Sequence, residues 1–263
     1  MSLIMREFEW VENEMKMKSL PPKPYNLLLS MAKYYSNKGY NKYQIKKKLR
    51  EYILTCNPDA AIYKDYGNTL DKVLSFYQKK PPVHVDSVSV TQPEIDTINT
   101  IKSKQARRVA FATLCIAKFK DMLSEHNNHW VGEELPAIMK ASNLRTSIKR
   151  QCLVCNDLRE LGLIEFAKQP DNNNIRVLFM QDGDEAINVS SLDDLGYRYM
   201  MHCGEPYFEC QECGSIVKYR NKTKGKNQKY CELCAPNVAK EQKYKSNKQR
   251  REGNKIIKDE KTE

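Results

Sequence analysis

Apolar positions in the first part of the chain recur at helical spacing. Leu27, Leu28, Met31, Tyr34 and Tyr35 form one stripe. Ile45, Leu49, Tyr52 and Ile53 form another, with Lys46, Lys47, Lys48 and Arg50 on other faces. An earlier helix carries Phe8, Trp10, Val11 and Met15. It is cut off by Leu20-Pro-Pro-Lys-Pro24, because proline lacks the amide donor and fixes φ. Asn37-Lys-Gly39 is a natural C-terminal stop, and a fourth helix is predicted over Asn68 to Tyr77. Residues 1–80 therefore read as a small helical domain.

The pattern then changes. A double proline and alternating valines, Lys79 to Val90, predict a linker or edge strand over 81–92. Thr91 or Gln92, followed by Pro93 and Glu94, opens a long helix whose Val109, Phe111, Ala112, Leu114, Cys115, Ile116, Phe119 and Met122 make it the centre of a core. A short strand at Trp130 and Val131 follows, then a helix from Glu133 to Lys140, a turn at Ala141-Ser-Asn143, and a helix from Leu144 to Leu161 ended by Gly162. Leu163 to Lys168 and Ile175 to Met180 read as two strands joined by the turn-forming tip Gln169 to Asn174. This order over 93–181 resembles the winged-helix family, and Leu158-Arg-Glu-Leu-Gly-Leu-Ile-Glu-Phe166 resembles its junction between recognition helix and wing. Residues 182–204 are locally acidic and read as a connector, with a short amphipathic helix around Leu192, Leu195 and Tyr199. The polar tail from Ser246 is expected to be disordered.

Charge narrows the choice of partner. Lys and Arg total 44 against 33 Asp and Glu, a formal net charge of +11, which favours a polyanion such as nucleic acid. Acids at Glu7 and Glu9 and the lack of an apolar run argue against a signal peptide. No stretch reaches the length of a membrane span, so a cytoplasmic location is expected. In that compartment nine cysteines point away from a disulfide framework and towards metal.

Cys210-Gln-Glu-Cys213 and Cys231-Glu-Leu-Cys234 supply two C-x-x-C turns, from which four thiolates can close a tetrahedron around one Zn²⁺. Gly214 suits the tight turn after the second ligand. With all four positions taken by sulfur the ion is structural, and 205–236 reads as a zinc ribbon. Cys152 and Cys155 share the spacing but lie inside the predicted recognition helix, where they read as small core residues. Cys203 reads as a spare thiol, and Cys56 and Cys115 as buried.

Arg145, Lys149 and Arg150 fall on the N-terminal half of the recognition helix, where Arg can pair with base edges and Lys can hold phosphate. Arg176, with Asn172 to Asn174, lies on the expected wing. Lys222, Lys224 and Lys226 lie between the cysteine pairs, either to touch phosphate or to offset the charge of a zinc-thiolate cluster. A basic helix is expected from Asn237 to Arg251 within 237–263. Glycine-loop, serine-elbow and H-E-x-x-H signatures are missing, so no catalytic residue is assigned. His126 with His129 is a weak metal pair. Asp182, Asp184 and Glu185 leave a nuclease as a distant alternative.

The whole arrangement, with Tyr230-Cys-Glu-Leu-Cys-Ala235 leading into a basic helix, resembles uncharacterised zinc-ribbon proteins of phages and mobile elements of low-GC Gram-positive bacteria. The expected class is mainly α (α+β). The expected function is non-enzymatic binding of duplex DNA in transcriptional control or replication of a mobile element. The alternative is a module that grips a host protein such as polymerase.

Overall fold

The computed structural model describes residues 3–79, 81–168, 174–219 and 228–259, with side chains described as far as Lys248. Helices and small antiparallel sheets combine in an α+β fold that divides into two compact units, Met1–Leu195 and Gly196–Glu263.

The first unit opens with helices α1 (Glu7–Met17), α2 (Tyr25–Asn37), α3 (Lys42–Cys56), α4 (Ile62–Asp65) and α5 (Gly67–Phe76). Helix α3 begins in a capping box. The Asn41 carboxamide accepts the Gln44 N–H, and the Gln44 side chain accepts the Asn41 N–H. The predicted stripes meet in one core, in which Val11, Leu28, Met31, Ile45, Leu49, Ile53 and Val73 are fully buried, each stabilising the fold by about 1.5–3 kcal/mol. Buried Glu7 accepts hydrogen bonds from Ser30 Oγ at 2.6 Å, Lys33 Nζ at 3.0 Å and the Val83 N–H at 2.8 Å. The Val85 N–H donates to Met5 O, so the segment leaving the bundle stays tied to its first helix.

The chain continues through β1 (Val88–Thr91), α6 (Gln92–Thr100), α7 (Lys104–Leu123), α8 (Leu135–Ala141), α9 (Ile148–Glu160), β2 (Ile164–Phe166), β3 (Ile175–Val177) and β4 (Glu185–Val189). Three sequence expectations are corrected here. The long helix opening at Pro93 is two helices, because the Ser103 hydroxyl accepts the Ala106 N–H and starts α7 afresh. The connector at 182–204 supplies a strand, and of the two forms expected over 81–92, linker or edge strand, the chain takes the strand. Strand β1 pairs antiparallel with β4, Val88 opposite Val189 and Val90 opposite Ile187, and all four side chains are buried. Met122 is exposed in the last turn of α7 and does not belong to the core.

Helix α7 is that core's centre, with Val109, Phe111, Leu114, Cys115 and Ile116 fully buried. Helices α8 and α9 pack against it and bury Ile138, Met139, Val154 and Leu158. Strands β2 and β3 form a hairpin with Ile164 opposite Val177 and Phe166 opposite Ile175. The segment at Trp130 joins the outer edge of β3: the Val131 N–H donates to Ile175 O and the Val177 N–H to His129 O. The expected strand at Trp130 and Val131 is thus reduced to a single bridge.

The second unit contains α10 (Leu195–His202), whose first residue lies at the division, then β5 (Tyr207–Glu209), β6 (Ile216–Lys218) and α11 (Ala235–Asp259). Helix α11 runs into the tail expected to be disordered, as far as Asp259. Lys, Gln, Arg and Glu lose little rotamer freedom in a helix, so polarity there opposes a core and not a helix. Among the described residues no helix is long and apolar enough to cross a membrane.

Candidate metal centre and basic surface

Strands β5 and β6 pair antiparallel, Tyr207 opposite Lys218 and Glu209 opposite Ile216, so the turn between them carries Cys210 and Cys213. The Cys210 N–H donates to Ser215 O, and the Gly214 N–H to Cys210 O, both at 2.9 Å. Gly214 has φ +70°, a left-handed conformation that glycine adopts without the penalty of a Cβ, as its position after the ligand pair anticipated. The second pair is positioned by a helix start, since the Ala235 N–H donates to Cys231 O and the Val238 N–H to Cys234 O as α11 begins. A hydrogen bond from the Gln211 N–H to Lys229 O, 2.9 Å, joins the two turns.

Stacked rings brace the hairpin: Phe208 on Tyr219 at 4.8 Å and Tyr197 on Tyr207 at 4.9 Å between centroids. Arg198, only 7% exposed, forms a fork on Glu209, with both contacts at 3.3 Å. Glu209 immediately precedes Cys210, so the fork fixes the strand that delivers the first sulfur.

The ligand atoms of Cys210, Cys213, Cys231 and Cys234 all lie within 4.8 Å of one another. Cys213 Sγ and Cys231 Sγ are 3.8 Å apart. A tetrahedron with metal–sulfur bonds of about 2.3 Å has edges of about 3.8 Å, so the four sulfurs fit one metal ion. Cys210 and Cys231 are buried, Cys234 is half-buried and Cys213 is exposed. Burial raises the Cys210 thiol, but backbone amides of Cys213, Cys231 and Glu212 turned toward it outweigh burial and bring it down to about 6. Hydrogen bonding to Cys231, then burial, pushes Cys234 up. The protein's own dipoles therefore stabilise one thiolate, and a cation held among the four sulfurs would supply the compensation that the others need to lose their protons.

The expected recognition helix starts later than its sequence pattern implied. Ser147 caps it by accepting the Arg150 N–H, and Leu144 is buried in the preceding turn, so α9 begins at Ile148 and Arg145 stands just ahead of it. Arg145, Lys149 and Arg150 are all exposed. Arg150 Nε donates to Gln105 Oε1 at 3.2 Å, which brings the start of α7 alongside the start of α9. Exposed Lys102 and Lys104 thereby join the same basic surface. Sequence reading missed them because it ran α6 and α7 together; the Ser103 cap was the available signal.

Arg176 is engaged within the fold, donating from Nε to Asn128 O at 2.9 Å and pairing with Glu165 at 3.1 Å. Lys222, Lys224 and Lys226 lie outside the described residues, as do Asn172 and Asn173. Cys155 is buried in the core as expected, with its thiol pushed up to about 12 by burial and by neighbouring Cys152. Cys152 itself is exposed, which corrects its reading as a core residue, because it lies a third of a turn outside the face made by Val154, Cys155 and Leu158. Cys56 is half-buried and Cys203 exposed. His129 Nδ1 meets Asp121 Oδ2 at 2.7 Å. Among the described residues no other group of three or more His, Cys, Asp or Glu side chains is drawn together, Asp182, Asp184 and Glu185 included.

Protein-family models, curated proteins and solved structures give no match to this chain.

Proposed function

We propose that this protein is a non-enzymatic DNA-binding protein with a structural zinc ribbon and a winged helix, acting in transcription or replication of a phage or mobile element. The observation that carries this reading is the exposed basic start of α9. Lys149 and Arg150 occupy its first turn, Arg145 precedes it, and Lys102 and Lys104 lie beside it. Helix α7, the bridge at Trp130, helices α8 and α9 and the β2–β3 hairpin follow one another in the winged-helix order, which supports α9 as the element that enters the major groove. The helix dipole adds positive potential at the same end. Ile148, 74% exposed, suits a thymine methyl group in that groove.

The all-sulfur ligand set supports zinc over calcium or magnesium, which take oxygen ligands, and a closed shell supports a structural role. In this reading zinc holds the two cysteine turns together and takes no part in chemistry.

The test is binding of duplex DNA across a salt series with single alanine variants at Arg145, Lys149 and Arg150. An arginine reading a base edge contributes roughly 1–3 kcal/mol of sequence discrimination, whereas a lysine on phosphate lowers affinity for all sequences and reduces the salt slope by about one unit. A second reading rests on the exposure of Ile148 and Leu153, two apolar side chains at the surface of α9 that a host protein such as polymerase could cover. Variants that leave duplex binding intact but abolish binding to purified polymerase would establish that reading and sink the first.

A further inference from the structure

A second surface lies on the helical bundle, away from α9. Helix α3 turns Ile45, Leu49, Tyr52 and Ile53 inward, and on its opposite face Tyr43, Lys47 and Arg50 follow one another at helical spacing. Tyr43 and Tyr63 are each 79% exposed, although a tyrosine ring ordinarily contributes by burial. The Arg50 guanidinium lies 4.7 Å from the Tyr63 ring centroid, which holds ring and charge together at the surface. Beside Tyr43 a cleft of about 450 Å³ opens between α3 and α5, with Lys42 and Lys46 on its walls. Its acid, Asp71, is neutralised by Lys46 at 3.2 Å, and Lys48 neutralises Glu51 at 3.3 Å. The remaining charge on this face, from Lys42, Lys47 and Arg50, is positive.

We propose that this face binds single-stranded nucleic acid, with bases stacked on Tyr43 and Tyr63 and phosphates held by Lys42, Lys47 and Arg50. Exposed rings alternating with cations match what a single strand offers, a flat base at each step along a charged backbone. In a duplex the base faces are stacked on one another, so exposed rings gain nothing. An acidic protein segment matches the cations but leaves the rings unused. The surface shares no residue with the duplex-binding reading of α9 and stands or falls separately from it.

The experiment uses the full chain and measures fluorescence anisotropy of labelled oligothymidylate, oligouridylate and a mixed-sequence duplex of equal length. Tyr43→Ala and Tyr63→Ala are expected to weaken single-strand binding about fivefold or more each, since base–aromatic stacking is lost. Tyr43→Phe keeps the ring and is expected to retain the affinity. The difference between the two oligonucleotides assigns the strand to DNA or RNA. Lys23→Ala, an exposed lysine ahead of α2 and outside both surfaces, is the control that leaves single-strand binding unchanged. Thermal unfolding of the tyrosine variants is expected to match the parent, because both rings are exposed. The proposal is overturned if neither single strand binds, if the alanine variants bind them as the parent does, or if those variants lose duplex and single-strand affinity in equal measure.

Discussion

Lys118 on α7 reaches Glu94 on α6 at 2.8 Å, and the Glu94 side chain is wholly buried. The same carboxylate accepts the Thr91 N–H at 2.8 Å and the Gln181 N–H at 3.1 Å, so one group fastens the end of β1, the start of α6 and the approach to β4. Removing one partner of a buried pair leaves the other uncompensated, at a cost of about 3–5 kcal/mol. Glu94→Ala is accordingly expected to lower the unfolding free energy measured in urea by that much, and Glu94→Gln, which keeps one acceptor, by less. Equal stability of Glu94→Ala and the parent would show that the network is ornamental.

The four-sulfur site predicts one tightly bound zinc per chain by elemental analysis. Metal binding to such a site is also folding energy, on the order of 10–16 kcal/mol in small zinc peptides, and β5 and β6 are only three residues each. Cys213→Ser combined with Cys231→Ser is therefore expected to lose the metal and the structure around 207–235, while the helical signal of the first unit persists. A full zinc complement in that double variant would reject the assignment.

Asp121 gives a signed pH dependence. Burial raises its carboxyl, but hydrogen bonds from the His129 ring, from Asn127 and from the His129 N–H outweigh burial and hold it below the ordinary aspartate range. A carboxyl with a lowered folded value contributes stability that is fully present above its unfolded pKa of about 3.9 and disappears as pH falls through the folded value. Denaturant midpoints of the parent and of Asp121→Asn should therefore differ at neutral pH and converge below about pH 4. A difference that stays constant across that range would refute the linkage.

The helices of the bundle were legible because their apolar spacing is regular and their stops are chemical, Pro21 and Pro22 on one side and Gly39 on the other. The pairing of β1 with β4 was not. Asp182, Asp184 and Glu185 gave the second segment an acidic look that concealed alternating Ile187 and Val189, and nothing local announces a partner so distant in the chain. Leu144 misled in the opposite direction. Its apolar side chain fits a helical stripe, yet it is buried from a turn, and Ser147 decides where α9 begins.

All four members of the cysteine cluster could be named from spacing alone, because two tight turns are local motifs. The Arg198–Glu209 fork was hidden, since arginine at one end of a polar segment and glutamate at the other carry no mark of their meeting. The basic surface was half legible. Arg145, Lys149 and Arg150 stood out as a cluster, but Lys102 and Lys104 join them only through the packing of α7 on α9.

The pairing of Val88 with Val189 has one more implication. It sets the entry and exit of the intervening stretch, from α6 to β3, side by side. A segment with adjacent ends can be lifted from one polypeptide and spliced into a surface loop of another without stretching either. With its ends side by side, the intervening stretch is a cassette that can pass whole from one chain to another.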